Sequence, residues 1–406
     1  MQADSAYQDC ISWLFERFPS YQNLGGAAYK PGLERVHQLL ELLQIDAQQI
    51  PSIHLAGTNG KGSTAAYCAS LLTEQDFKVG LFTSPHIYDF SERIRINGCP
   101  ITPKDVIAFC HRFQNLNSTI DASFFELTFA MALAYFQAQS CDYIVIETGL
   151  GGRLDATNIL NPKVSVITNI ALDHQEFLGD SITAIAIEKA GIIKTQTPAV
   201  IGEKSKSTQA IFEDRSRVLN APIYYSEDFK DLVQTLPLTG YQINNFKTAI
   251  LALKVIGFDI SPQTQLAALK NLKTNTGFFG RLELWQVAPR IVIDVSHNPA
   301  GIAATLPIIQ KECEGQLYIL YGAAKDKDAQ QILDLFPKQA NIAACVFSNP
   351  RSKSAADWQL LGVEQVFEDL PSAISQIEKQ MLPHDLLWIT GSFFLLSDLP
   401  SIKKIF

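Results

Sequence analysis

The chain has 406 residues, 33 basic and 41 acidic, for a formal net charge of −8; 47% of it is hydrophobic and 18% charged. That length suits two or three domains, and so little charge on an ordinary apolar content excludes a disordered chain or a coiled coil. An acidic chain with no run of Lys or Arg also lacks the electrostatic footprint of a nucleic-acid binder.

Taken from the start, the first residues carry Asp4 and Asp9 and no basic region before an apolar core, which reads against a signal peptide. Strands are predicted at 53–56, 79–83, 143–147, 164–169, 199–202 and 222–225. They alternate with helical patterns at 64–74, 103–113, 126–139 and 182–190. These strands are continuous apolar runs, as buried parallel strands are, and the alternation predicts a doubly wound α/β sheet. The longest apolar stretch, 127–141, is short of the roughly 18 residues a membrane span needs and reads as a buried helix. Seven scattered cysteines without a Cys-x-x-Cys pair fit reduced thiols in a cytoplasmic protein.

The pattern restarts with strands predicted at 291–295, 317–321, 343–347 and 386–390. Asn275, Gly277, Gly280 and Pro289 mark a connection between the halves. The expected organisation is a larger α/β domain over 1–280, a linker over 281–289 and a smaller α/β domain over 290–406. A crevice between two such domains is the default place for a ligand.

The strongest motif is Gly57-Thr-Asn-Gly60-Lys61-Gly62-Ser63, which follows a strand and opens a helix. Small residues let backbone N–H groups close around phosphate oxygens, and the helix start adds a positive dipole end. Lys61 is placed to reach terminal phosphates and Ser63 to meet a metal, although Gly62 intervenes where the common phosphate loop has none. Ser84-Pro85-His86, Glu147 and Asp173-His174 each follow a strand, and residues past a strand's carboxyl end face the ligand crevice of an open α/β sheet. Glu188-Lys189 reads on physics alone as a solvated charge pair before a glycine cap. Asp294-x-x-His297 is an acid–base or ligand-holding pair, or merely a turn.

These motifs, with the block Glu147-Thr-Gly-Leu-Gly-Gly-Arg-Leu-Asp-Ala-Thr-Asn158, Gly280-Arg281 and Gly391-Ser392-Phe393, stand in an order that resembles the folylpolyglutamate synthase/dihydrofolate synthase branch of the Mur ligases, from about Gly32 to about Phe394. The resemblance implies a P-loop-containing doubly wound ATPase domain plus a smaller Rossmann-like α/β C-terminal domain. It implies an ATP-dependent ligase that adds L-glutamate to folates and to dihydropteroate through an acyl phosphate. It places ATP at Thr58, Asn59, Gly60, Lys61, Gly62, Ser63, Asn245, Arg281 and Asp294. It places Mg2+, one ion or two, at Ser84, Glu147 and His174, and a carbamylated lysine at Lys189. His297 and Ser392 fall on the glutamate side, with Lys61, Lys189 and His297 in the catalytic roles. The pterin is expected near Ala27–Lys30, Ser123, Phe124, Phe125 and Glu126, and Leu154, Asp155 and Ala156, with Phe124 or Tyr29 stacking on it. The loop before Gly32-Leu-Glu-Arg35 is not acidic as in bifunctional relatives, and Phe394 stands where the family often writes histidine. A monomer in the cytoplasm is expected. The alternatives are a folate-only synthase, another Mur-type amino-acid ligase, or a nucleotide switch; the last lacks an Asn/Thr-Lys-x-Asp segment to read a base.

Overall fold

A computed structural model describes residues 2–18, 30–116, 118–233 and 236–400. The chain forms two compact units, one of residues 1–238 and 242–278, the other of 239–241 and 279–406.

The first unit holds a sheet of β1 (Ser52–Ala56), β2 (Val79–Phe82), β3 (Ile94–Ile96), β4 (Cys99–Pro100), β5 (Tyr143–Glu147), β6 (Val164–Ile167), β7 (Ala199–Ile201) and β8 (Ile223–Tyr225), in the order β4-β3-β2-β5-β1-β6-β7-β8. All neighbours pair in parallel except β2–β3 and β3–β4. Both faces are covered, and the strand period of two divides each strand between them. Val145 and Leu55 pack on one face with Tyr67, Phe246 and Ile250, from the helices Lys61–Thr73 and Tyr241–Lys254. Ile144 and Ile146 pack on the other with Phe129, Leu133 and Phe136 of the helix Phe124–Ala138. Each fully buried side chain of this kind stabilises by about 1.5–3 kcal/mol. The stretch at 127–141 is therefore a core helix. Among the described residues no helix is long and apolar enough to cross a membrane.

Strands β2, β5, β1 and β6 are consecutive in the sheet, so their carboxyl ends lie side by side. From those ends leave Ser84, Glu147, the Gly57–Ser63 loop and Asp173-His174, four segments far apart in sequence that one sheet edge collects.

The second unit has the sheet order β13-β12-β11-β14-β10-β9, from β9 (Glu283–Gln286), β10 (Arg290–Asp294), β11 (Leu317–Tyr321), β12 (Asn341–Cys345), β13 (Gln365–Phe367) and β14 (Leu386–Thr390). Its core gathers Ile319, Tyr321, Trp358 and Trp388. The stretch 281–289, expected as a linker, contains β9, which pairs antiparallel with β10. Its half-exposed residues give it no continuous apolar run, so an edge strand of this kind resembles a connection in sequence. The N-terminal helix Gln2–Arg17, the helix Glu34–Leu42 and the short hairpin β3–β4 had no counterpart among the predicted elements.

One close approach makes a testable prediction. A Cβ at Gly80 of β2 would stand 2.7 Å from two ring atoms of the fully buried Phe136. Gly80→Ala should cost about 1–3 kcal/mol, as overpacking does. The loss should shrink when Phe136→Leu is combined with it, as measured by urea denaturation.

Candidate active site

The loop after β1 is built to expose backbone amides. Gly60 has φ +80° and caps the helix Lys61–Thr73; a Cβ there would lie 2.6 Å from the Asn245 Oδ1 atom, so only glycine fits the turn. The β6–helix connection pins the loop. Asn169 accepts from the Thr58 and Asn59 amides at 3.0 and 2.8 Å, and the Thr168 hydroxyl donates to the Asn59 carbonyl at 2.6 Å. Gly62 and Ser63 occupy the first helical turn, whose amides have no intrahelical partner and carry the positive end of the dipole. Lys61 folds back and donates to the Gly57 and Thr58 carbonyls at 3.0 and 3.2 Å. Asn245 is buried behind the loop, and its Nδ2 donor finds no partner among the described residues. An orphan buried donor beside a loop of amides suits an anionic ligand such as a nucleotide's phosphates.

The strand-end residues converge around that loop. Glu147 is buried at the end of β5 and accepts from the Ser84 amide at 3.0 Å; the same carboxylate oxygen lies 3.4 Å from where a Gly62 Cβ would stand. His174 sits in the left-handed region at φ 50°, its amide donating to Asp173 and its imidazole 3.8 Å from the Asp173 carboxylate. A non-glycine residue in sparsely used backbone space is held there by its surroundings. Among the described residues no three His, Cys, Asp or Glu side chains group as a metal cage. A buried carboxylate, a hydroxyl residue and the nearby exposed loop amides nevertheless fit a hard ion that keeps waters and phosphate oxygens as ligands, as Mg2+ does.

Lys189 differs most from its local reading as a solvated charge. It is buried, and its ammonium donates to the Gly57 carbonyl at 2.8 Å. Its neighbour Glu188 pairs instead with Arg153 at 2.7 Å. Burial, then the Lys61 charge, pushes the Lys189 pKa down to about 7 against the opposing pull of Asp173, Asp155 and Glu188.

The expected substrate residues divide. Ser123 and Glu126 form a capping box for the helix Phe124–Ala138, a Ser-x-x-Glu signal visible in the sequence. Glu126 also pairs with Arg35 at 3.2 Å. Phe124 is buried, stacked on Phe15 at 4.6 Å with the Arg93 guanidinium 5.3 Å from its ring, so it is not placed to stack on a pterin. Phe125 is the half-exposed ring, lying against Gly149, whose Cβ would come within 2.7 Å of it. Leu154 accepts from the Gly32 amide at 3.4 Å, Ala156 is buried, and the buried Asp155 carboxylate accepts from the Gly149 and Leu150 amides at 2.9 Å each. Asp155 thus shapes the loop after Glu147. Ala27, Ala28 and Tyr29 lie outside the described residues.

In the second unit, β10 and β14 are neighbours, so Asp294 and Ser392 leave adjacent strand ends. Asp294 is fully buried and accepts from the Leu282 and Ser296 amides at 2.9 and 2.8 Å, which makes it the brace of this loop. His297 donates from Nδ1 to the Val295 carbonyl at 3.0 Å. The Arg281 guanidinium lies 4.8 Å from the Phe393 ring, and Ser392 caps the helix Phe393–Ser397.

Residues missed from sequence also bear on the site. Arg93 is buried and donates to His86 Nδ1 at 2.8 Å, while Phe15 brings the N-terminal helix against Phe124 and His86. The Arg-x-Arg formed by Arg93, just before β3, and Arg95 within it reads as solvated charge, and a lone Phe in an N-terminal helix reads as core.

Two substitutions test the geometry. Lys61→Ala should lower turnover by about 10²–10³-fold, the scale of losing one charge-stabilising donor, with melting temperature unchanged. Glu147→Gln keeps the shape and should raise the Mg2+ concentration needed for half-maximal activity about 10–100-fold. Wild-type magnesium titration of the glutamine variant would remove Glu147 from the metal-holding set.

Comparison with known proteins agrees with this arrangement. Residues 55–273 match the Mur ligase middle domain and 280–393 the Mur ligase glutamate ligase domain, dividing close to the boundary between the two units. A dihydrofolate synthase/folylpolyglutamate synthase of Bacillus subtilis is 32% identical over 97% of this chain and 98% of its own. The structure of E. coli FolC in complex with DHPP and ADP matches with a TM-score of 0.84 at 26% identity, over 96% of each chain. That of the Yersinia pestis bifunctional folylpolyglutamate synthase/dihydrofolate synthase with AMPPNP and Mn ion matches with a TM-score of 0.84 at 27% identity, again over 96% of each. With both domain models and relatives matched along nearly the whole length, the chain belongs to the Mur ligase family, in its dihydrofolate synthase/folylpolyglutamate synthase branch.

Proposed function

We propose that this chain is an ATP-dependent ligase that adds L-glutamate to dihydropteroate and to folates, releasing ADP and phosphate. The observation that carries the reading is the meeting of the Lys61 loop, Glu147 and Lys189 at one sheet edge.

A carboxylate is a poor electrophile. Its oxygen attacks the γ-phosphorus of ATP, ADP departs, and an acyl phosphate forms. The amine of glutamate attacks the acyl carbon, loses a proton, and phosphate leaves with the former carboxylate oxygen. Catalysis of this kind rests on positioning and on charge stabilisation. The loop from Thr58 to Ser63 holds the phosphates, Lys61 follows the charge that develops at the terminal one, and the orphan amide of Asn245 supplies a further donor. Mg2+, when bound, neutralises phosphate charge, and Ser84, Glu147 and His174 are the residues that would hold it. Phe125 takes the place of Phe124 as the ring beside the pterin. In the second unit, Arg281 serves the nucleotide through a loop that Asp294 holds, and His297 and Ser392 serve glutamate.

Lys189 is the carbamylation site in this reading. A neutral amine adds CO2, releases a proton and becomes a carbamate anion. With a pKa of about 7, Lys189 offers a far larger neutral fraction at pH 7.5 than an ordinary lysine does. Because the folded pKa is depressed, the neutral form grows as pH rises through 7. Enzyme freed of CO2 at mildly acidic pH should recover with bicarbonate quickly above pH 7 and slowly below about pH 6. Lys189→Ala should be partly restored by a short carboxylic acid. Recovery independent of pH and bicarbonate would contradict the assignment.

Bifunctionality is tested by complementation of cells that lack dihydrofolate synthase, alongside ligation of labelled glutamate to dihydropteroate and tetrahydrofolate. Growth together with both ligation products is expected. A chain that extends folate yet fails to complement would be a folate-only synthase.

A further inference from the structure

A histidine stands in the middle of β1, where a parallel strand covered on both faces calls for an aliphatic residue. His54 is fully buried, with Ile53 and Leu55 on the opposite face. Its Nε2 is 2.7 Å from the Thr157 hydroxyl. That hydroxyl donates to Asp155 Oδ1, an oxygen that also accepts from the Thr157 amide at 3.0 Å. The other oxygen, Oδ2, accepts from the Gly149 and Leu150 amides. Three backbone amides donate to its two oxygens and hold Asp155 as a carboxylate, although burial pushes its pKa up. The Thr157 proton therefore points at Asp155, and the Thr157 oxygen accepts from His54 Nε2–H. This fixes the tautomer and leaves Nδ1 as a buried lone pair without a partner. Burial holds the imidazole neutral, its pKa pushed down to about 3.

A buried ring with one unanswered nitrogen is a cost, and it needs a return. We propose that His54 is a positioning residue for the nucleotide and metal end of the site, acting through Thr157 and Asp155 on the turn Gly149–Gly152. That turn begins two residues after Glu147. At its far side the Arg153 amide donates to the Glu188 carbonyl at 2.8 Å, and a Cβ at Gly152 would lie 3.1 Å from the Lys189 Cα. The turn spans the gap between Glu147 and Lys189, and Asp155 is its interior brace. A hydroxyl alone can rotate; with His54 donating to it, the Thr157 proton has one acceptor to face, and the brace has one geometry. Outer partners of this kind commonly change metal affinity or activity about 10–100-fold when removed.

The inference rests on the ligase reading for its functional consequence, so the test has two arms. Amide hydrogen exchange of peptides spanning residues 149–152 reads the turn without any turnover. Mn2+ dependence of MnADP binding, by calorimetry, reads the site. The variants are His54→Leu, which removes the donor at similar volume, His54→Gln, whose side-chain amide places a donor near the Nε2 position, and Thr157→Val, which is nearly isosteric. We expect exchange in this segment to rise about tenfold or more in the Leu and Val variants, with exchange elsewhere unchanged. We expect the Mn2+ requirement to rise about 10–100-fold in the same two, and the Gln variant to recover both. The double variant His54→Leu/Thr157→Val should lose no more than either alone. Unchanged exchange and metal dependence in the Leu and Val variants overturns the proposal, as does a Gln variant no better than Leu. Should the Leu variant not fold, Thr157→Val decides by the same readings. A wild-type chain that fails to ligate glutamate would refute the ligase reading, while the exchange arm would still judge His54.

Discussion

The carbonyl oxygen of Gly57 accepts two ammonium groups, Lys61 at 3.0 Å and Lys189 at 2.8 Å. Burial and the neighbouring Lys61 charge disfavour a second cation there and push the Lys189 pKa down to about 7. Asp173, Asp155 and Glu188 pull against that shift, while the first-turn amides of the helix Lys61–Thr73 add to the positive potential. The result is a concentration of positive charge with a ready acceptor site for anions, and one lysine whose proton is loosely held. The rest of the first unit serves to keep these groups in register.

The strand ends themselves were legible in the sequence. Continuous apolar runs give β1, β2, β5, β6 and β7, and the residues that follow each run are the ones the sheet collects at one edge. The glycine-rich loop was legible as a strand-to-helix turn for the same reason, since Gly60 with φ +80° caps the helix Lys61–Thr73. The second unit was legible as a repeat of the strand–helix alternation, apart from β9 and the three-residue β13, whose partly exposed residues carry no continuous apolar run.

What the residue pattern did not convey depends on contacts across the fold. Lys189 reads locally as a solvated partner of Glu188, yet Arg153 takes that carboxylate and leaves the lysine buried against the phosphate loop. Asp155 and Asp294 have the composition of ligand contacts, yet both are buried braces for backbone amides. Phe124 and Phe125 are adjacent and alike in sequence, and only helical geometry turns the first into the core beneath Phe15 and the second toward Gly149. A single-residue offset on a helix is about 100° of rotation, which no composition argument resolves.

The central claim is that the carboxylate is activated by phosphorylation before glutamate attacks. Dihydropteroate labelled with 18O in both carboxylate oxygens tests it in one turnover, with ATP and L-glutamate supplied and the released phosphate analysed by mass. One labelled oxygen in the phosphate and one in the new amide is the result this account predicts. Phosphate free of label, with the amide still formed, would contradict it.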